Sequence, residues 1–281
     1  MSSHAVAAVL NQALPYIQRF QGQTFVVKYG GSALQHPESV RAAVRNVLLL
    51  QLVGIRVVLV HGGGPEIDAL LQRLNIPKVT RDGLRVTDDD TMAAVEMALL
   101  RANQALVAEI LRAGGQAVGL SGRDGGLLRA APMRDDLGRV GRVDAVHSGP
   151  IEAVLGSGAV PVICSVAAGP DFSALNVNAD TAAAAVAGAL RAEKLILMTD
   201  TNGVLASADD PESTLSTLPT DLARAMIADG RASRGMIPKL QAALDALGQG
   251  VKAVHLINAG VENALLVEVF TDAGIGTMLR S

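Results

Sequence analysis

The sequence predicts an α/β protein: a mostly parallel, open sheet with helices on both faces, preceded by an N-terminal helix extension. Three observations predict it. Short apolar, β-branched runs such as residues 57–60 and 160–166 alternate with helix-length amphipathic segments, the pattern of parallel strands buried under helices. Glycine-rich or polar motifs follow nearly every predicted strand, where such sheets bind their ligands. The 281 residues, 49% hydrophobic and 18% charged, are ample for a large core.

Taken in order, Val6, Val9, Leu10, Ala13, Leu14 and Ile17 recur at helical spacing. They predict a helix that kinks or restarts at Pro15 and ends near Phe20. Its apolar stripe is covered by its own domain or by another subunit. Residues 24–28 form a strand that runs into Tyr29, Gly30, Gly31 and Ser32. Ser39 is the expected cap of a helix that continues through Leu52 and stops at Gly54. A strand over 56–60 then meets His61 and three glycines, and Pro65 suits a first helical turn. Backbone N–H groups at such a helix start have no intrahelical partner and face the positive end of the dipole, so the arrangement favours an anion. By itself the cluster fits a plain tight turn equally well.

Residues 83–87 read as a short strand or loop, and Asp88, Asp89 and Asp90 open a helix over 91–112. This acidic trio is read as cap and dipole chemistry in preference to a metal site. A strand over 117–120, a hairpin over 129–146, a helix starting at 150–155 and a buried strand over 160–166 follow. The second half offers an alanine-rich helix over 181–191, a strand over 195–198, helices over 218–229 and 238–247 and a strand over 251–257. A short helix from Glu262 and a final strand close the chain. No flexible linker is visible. We divide the chain into the extension, residues 1–22, an N-terminal lobe, 23–170, and a C-terminal lobe, 171–281.

Composition excludes several functions. The net charge is −3, basic residues are dispersed and aromatics make up 2%, so nucleic acid is not an expected partner. A single cysteine, Cys164, within an apolar run rules out an intrachain disulfide and points to a reducing compartment. Neither a signal peptide nor a membrane-length apolar segment is seen, so the expectation is a cytoplasmic protein. Walker A, kinase, HExxH and GxSxG signatures are missing, and no metal-ligand constellation is expected. Residues 248–253 match a relaxed dinucleotide fingerprint, but they follow a helix and open a strand, the reverse of a dinucleotide turn.

The remaining inventory suits phosphoryl transfer, which needs backbone donors around phosphate, cations on the equatorial oxygens and alignment of attacking and leaving groups. Lys28, at a strand end beside Gly30 and Gly31, is one cation. Lys239, at the start of a helix after Gly235, is another. Asp180, at the head of its helix, is read as a simple N-cap when considered in isolation.

Seven motifs, KYGGS from Lys28, HGGGPEID from His61, DGLRVTD from Asp82, GLSGRDG from Gly119, NVNAD from Asn176, TDTNGV from Thr199 and GMIPK from Gly235, occur in that order over most of the chain. Together they resemble the amino acid kinase family, in its N-acetylglutamate kinase branch. The resemblance implies ATP- and Mg2+-dependent phosphorylation of the side-chain carboxylate of N-acetyl-L-glutamate, a step of arginine biosynthesis. It implies that Lys28 and Lys239 stabilise the transferring phosphoryl group and that Asp180 orients both. Backbone N–H groups of Gly31, Gly63 and Gly64 would cradle phosphate and substrate, and Arg85 and Asn176 would hold the acetylglutamate. Gly30, Gly31, Thr199, Asp200 and Gly235 fall on the phosphate and ATP side, and Mg2+ would ride on the ATP phosphates. The nucleophile, a carboxylate, is already ionised at neutral pH, so no general base is required. His61 is accordingly read as shaping the glycine loop.

Arginine-inhibited members share the N-terminal helix, which interlaces dimers into a hexamer, and a frame matching His255, Glu268 and Gly274. This chain departs from them at Asn258-Ala259-Gly260, where they carry an Asp-Gly-Arg run. L-Arginine as inhibitor, and a homodimer or homohexamer (a trimer of dimers), are the resulting expectations. A relative acting on carrier-linked aminoadipate is disfavoured by the third glycine of HGGG and the intact GLRVT. A non-catalytic relative is disfavoured by the presence of both lysines and Asp180.

Overall fold

Successive residues of β1 and β2 face opposite sides of a sheet, and both sides are apolar. Val26, Val58 and Val60 join one buried cluster, while Phe25, Val27, Val57 and Leu59 join another. Such strands have no solvent face, so helices must cover both. The computed structural model describes residues 3–30, 34–207, 210, 213–233, 235–272 and 274–280. Gly31 and Ser32, expected in the first glycine turn, lie outside the described residues.

The elements begin with α1 (Ser3–Phe20), β1 (Thr24–Tyr29), α2 (Pro37–Leu52), β2 (Arg56–His61) and α3 (Gly64–Arg73). A hairpin, β3 (Thr80–Arg81) and β4 (Leu84–Arg85), precedes α4 (Asp89–Arg112). Next come β5 (Ala117–Ser121), β6 (Leu128–Pro132), β7 (Gly141–Val146), α5 (Gly149–Gly156), β8 (Val160–Cys164), β9 (Val166–Ala168) and β10 (Ala174–Asn176). The chain closes with α6 (Ala179–Ala189), β11 (Lys194–Thr199), β12 (Thr217–Pro219), α7 (Thr220–Ala228), α8 (Ile237–Gly248), β13 (Ala253–Asn258), α9 (Ala264–Phe270) and β14 (Thr277–Arg280).

An eight-stranded sheet in the order β12-β14-β13-β11-β1-β2-β8-β5 forms the centre, parallel except where β14 meets β13. The order places β1 directly beside β11, so one sheet crosses both halves of the chain. Helices α5, α6, α7 and α8 cover one face, and α2, α4 and α9 the other. A four-stranded sheet, β10-β9-β6-β7, and the β3–β4 hairpin stand beside the carboxyl ends of the central strands.

Several local expectations are corrected. Residues 160–166 are two strands, not one: β8 ends at Cys164 and β9 pairs in the smaller sheet. The apolar run is unbroken, so periodicity carried no mark of the change. Ser39 is not a cap; α2 starts at Pro37 behind His36, because proline is preorganised for a first helical turn. Helix α1 does not restart at Pro15; it extends from Ser3 to Phe20 with the proline inside it. The last helix is Ala264–Phe270, further along than the expected start at Glu262. The reading of the acidic trio stands, since Asp88 caps α4 by accepting from the Thr91 N–H at 2.8 Å. Among the described residues, no helix is long and apolar enough to cross a membrane.

Ile163 is fully buried in β8, between β2 and β5. Ile163→Ala removes packing on a rigid central strand and is expected to cost about 2–5 kcal/mol, read as a lowered urea midpoint with the slope unchanged.

Candidate active site

Asp180 lies in the first turn of α6 and is 5% exposed. It is not the cap of that helix. Asn178 is, its side-chain oxygen accepting from the N–H groups of Asp180 at 2.8 Å and Thr181 at 3.1 Å. The Asp180 carboxylate is thereby left for other partners. Lys28, at the end of β1, places Nζ 2.9 Å from Oδ1, and Lys239, near the start of α8, donates to Oδ2 at 2.8 Å. Oδ1 receives no aligned hydrogen bond, and the Lys28 contact is an ion pair. Burial opposes the charge on Asp180, but the two lysines outweigh it and hold its pKa below the ordinary value. Two cations around one anion leave the cluster with a net positive charge.

A cavity of about 320 Å³ opens on this cluster, and Lys28, Gly63, Gly64, Arg85, Asn176 and Asp180 all line it. The first glycine of the loop, Gly62, packs closely on α6: a Cβ there would stand 3.1 Å from Ala179 Cβ. At Gly63 a Cβ would stand 2.9 Å from a Leu99 methyl group, so a side chain there would force Leu99 to shift. Arg85, on β4, is held by Asp68 of α3, which also takes Lys78. One guanidinium nitrogen of Arg85, Nη1, is buried with no hydrogen-bond partner. A buried guanidinium donor facing a cavity is completed by an anionic oxygen. Asn176 donates to the Thr87 hydroxyl at 3.2 Å.

His61, at the end of β2, is fully buried and neutral: burial lowers its pKa to about 4, against the opposing hydrogen bond to the Gly62 carbonyl. Its Nδ1 lies 2.9 Å from the Gly62 carbonyl oxygen, at the start of the glycine loop.

A second cavity, of about 420 Å³, lies beyond β11 and is lined by Asp200, Asn202, Gly203, Arg231, Met236 and Asn258 among others. Lys239 is three residues past Met236. Lys239 itself lines neither cavity and meets the first only through its bond to Asp180. Thr199 is buried beneath, its hydroxyl accepting from the Thr201 N–H at 3.3 Å, and Gly235 precedes the lining residue Met236. Neither Thr199 nor Gly235 lines the cavity itself.

His255, Glu268 and Gly274 do come together. The His255 Nδ1–H donates to Glu268 Oε1 at 2.6 Å, and Lys194 Nζ stands 2.7 Å from His255 Nε2. The other oxygen, Oε2, accepts from the Ile275 N–H at 2.8 Å, and a Cβ on Gly274 would meet it at 3.2 Å. Burial holds both His255 and Lys194 below their ordinary pKa values.

Sequence reasoning missed Asn178, Asp68, Arg231 and Asn258. Asn178 carried a usable signal, being a strong capping residue two positions before Asp180. Asp68 pairs with Arg85, 17 residues on, and Arg231 and Asn258 are brought to one cavity only by the fold, so local spacing carries no signal for them.

Comparison with known proteins agrees with this geometry. The profile described as "Amino acid kinase family" matches residues 23–258. Acetylglutamate kinase of Synechococcus sp. (strain CC9605) is 53% identical over 275 residues, covering 97% of this chain and 94% of that protein. Acetylglutamate kinase of Thermosynechococcus vestitus is 51% identical over 273 residues, 96% of this chain and 92% of its own. Among solved structures, N-acetylglutamate synthase from Neisseria gonorrhoeae, complexed with coenzyme A and N-acetyl-glutamate, superposes with a TM-score of 0.87 at 25% identity. The superposition covers 98% of this chain but 63% of the synthase, so this chain spans under two thirds of it. With the family profile over most of its length, two lysines on one buried carboxylate and a glycine loop at the strand ends, the chain belongs to the amino acid kinase family.

Proposed function

We propose that this chain transfers the γ-phosphoryl group of ATP to the side-chain carboxylate of N-acetyl-L-glutamate, forming N-acetyl-L-glutamyl 5-phosphate in arginine biosynthesis. The observation that carries the reading is the pair of lysines on Asp180, whose carboxylate lines a cavity shared with Arg85 and Asn176. The acetylglutamate kinases at about half identity over nearly the whole chain support the choice of substrate.

In this reading the acid occupies the smaller cavity, formed by the N-terminal lobe together with Asn176 and Asp180 of the C-terminal lobe, with a carboxylate on the free Nη1 of Arg85 and Asn176 beside it. ATP occupies the C-terminal lobe, beside Asp200 and near Gly235. The acceptor carboxylate attacks as the anion, so no residue has to remove a proton. Asp180, with its proton affinity lowered, serves as an anchor that keeps both ammonium groups on the equatorial oxygens. The amides of Gly63 and Gly64, together with Gly30 and Gly31, donate to phosphate oxygens. Both oxygens of Asp180 face lysines, and among the described residues no group of three or more His, Cys, Asp or Glu side chains gathers to hold a metal. A Mg2+ ion would be held by nucleotide oxygens, where it supplies charge neutralisation.

L-Arginine is the proposed inhibitor, bound near His255, Glu268 and Gly274. Two observations support it: these residues are assembled beside Lys194, and the Neisseria synthase, whose fold this chain shares over 98% of its length, has been solved with coenzyme A and L-arginine. Residues 1–22 are proposed to serve oligomerisation, as a homodimer or homohexamer. Helix α1 exposes Val9, Leu10 and Leu14, while Tyr16, nearer its end, bonds Asp272 of its own chain.

ATP turnover with N-acetyl-L-glutamate, trapped as hydroxamate, is expected to exceed that with aspartate, carbamate or aminoadipate; product from a different acid alone would move the substrate assignment. Lys28→Ala and Lys239→Ala should each lower kcat by about 10²-fold or more, while Arg85→Ala should act chiefly on the acetylglutamate KM. Asp180→Asn leaves two lysines without a counter-charge and should cost on the order of 3 kcal/mol at pH 7. Because the folded pKa of Asp180 is depressed, its contribution is present above the ordinary value of 3.8 and is lost as pH falls through the folded value. The wild-type advantage over the variant, measured by urea unfolding, should therefore shrink below about pH 4. An arginine titration should inhibit in the millimolar range or below and be weakened by Glu268→Gln; activity flat to millimolar arginine would remove arginine from the account.

A further inference from the structure

Behind the glycine loop lies a buried polar chain that the mechanism above does not use. His61 Nδ1 is 2.9 Å from the carbonyl oxygen of Gly62, and His61 Nε2 is 3.1 Å from Asn103 Nδ2. Asn103 Nδ2 is also 2.7 Å from the carbonyl oxygen of Val162 on β8. His61 is 0% exposed and Asn103 1% exposed, so no solvent completes either group.

The protons in this chain are fixed by what each atom can do. A carbonyl oxygen only accepts, so Asn103 must present its amino group to Val162, and the second hydrogen of that amino group faces His61 Nε2. Nε2 must then be bare. A neutral imidazole carries one proton, which falls on Nδ1 and is donated to the Gly62 carbonyl. Asn103 reaches this position from the middle of α4, and β5 makes room for it with Gly119, where a Cβ would stand 2.1 Å from Asn103 Oδ1.

The consequence appears on the far side of one peptide plane. The described peptides are all trans, so the Gly62 carbonyl and the Gly63 N–H point in opposite directions. With the carbonyl tied to a buried ring, the N–H is turned away from it, and Gly63 lines the acid cavity together with Lys28 and Asp180. We propose that His61, locked as the Nδ1–H tautomer by Asn103, is a positioning residue that aims the Gly63 N–H at the phosphoryl group in transfer. The proposal rests on the phosphoryl-transfer reading of this cavity. It gives the histidine of the HGGG loop a task without proton transfer, and it explains why Asn103 is placed against it and why Gly119 leaves room for Asn103.

The test compares purified wild type with two variants in the hydroxamate assay. Wild-type turnover of N-acetyl-L-glutamate checks the parent reading alone, and the positioning role is judged from ratios to wild type. His61→Leu keeps the volume and loses the donor. Since a well-aimed oxyanion donor is worth about 10²–10³ in kcat, a misdirected one should lower kcat by roughly 10- to 100-fold, with the acetylglutamate KM within about twofold. In His61→Asn the amide nitrogen stands near the former Nδ1, and kcat should return to within severalfold of wild type. A folded His61→Leu protein with wild-type kcat, or an equal loss in both variants, overturns the proposal. If His61→Leu does not fold, the 15N spectrum of the wild-type imidazole decides: protonated Nδ1 with bare Nε2 at neutral pH upholds it, and a proton on Nε2 overturns it.

Discussion

The structure depends on one electrostatic constraint, a buried carboxylate between two lysines. An aspartate that is almost wholly out of water is costly unless it is paired, and Asp180 is paired twice. Lys28 comes from the first strand and Lys239 from the eighth helix, so the charge is compensated only when the two ends of the chain have met around α6. The sheet order makes this meeting possible by seating β1 beside β11, and α6 crosses over both. The same contact therefore serves stability and, in the proposed reaction, the placement of positive charge.

Around that anchor the polar groups divide into completed and uncompleted ones. His61, Asn103 and Asn178 have their partners inside the protein and hold main chain in place. Arg85 Nη1 is buried with no partner and faces a cavity. Leaving a buried donor unsatisfied is unfavourable for the free protein, and such exceptions mark places where a ligand completes the bond. The two buried histidines show the opposite economy. His61 and His255 are both held below the ordinary imidazole pKa by burial, each with both ring nitrogens occupied, which suits an enzyme whose nucleophile needs no base.

Much of the site was legible because the chemistry is carried by short motifs at strand ends. The glycine loop after β2, Lys28 at the end of β1 and Lys239 in the first turn of α8 could all be located from the alternation of apolar runs and glycines, and the structure brings them to one place. Where local reading failed, a physical reason is visible. Asp180 alone looks like a helix cap, since an aspartate in a first turn satisfies free N–H groups; that task is taken by Asn178 two residues earlier. Residues 160–166 look like one strand because hydrophobicity does not register that the chain leaves one sheet at Cys164 and enters another at Val166.

The sequence by itself determined the alternation of strands and helices, the two-sided burial of the central strands and the family, because these follow from residue periodicity and from ordered motifs. Tertiary structure alone decided what each polar group does. That Lys28 and Lys239 share one carboxylate, that Asp68 holds Arg85 while one of its nitrogens stays open, and that Asn103 sets the tautomer of His61 all depend on contacts between residues 17 to 152 positions apart. Such pairs leave no trace in local spacing, because the distance between them is fixed by the order of strands in the sheet and not by the length of chain that separates them.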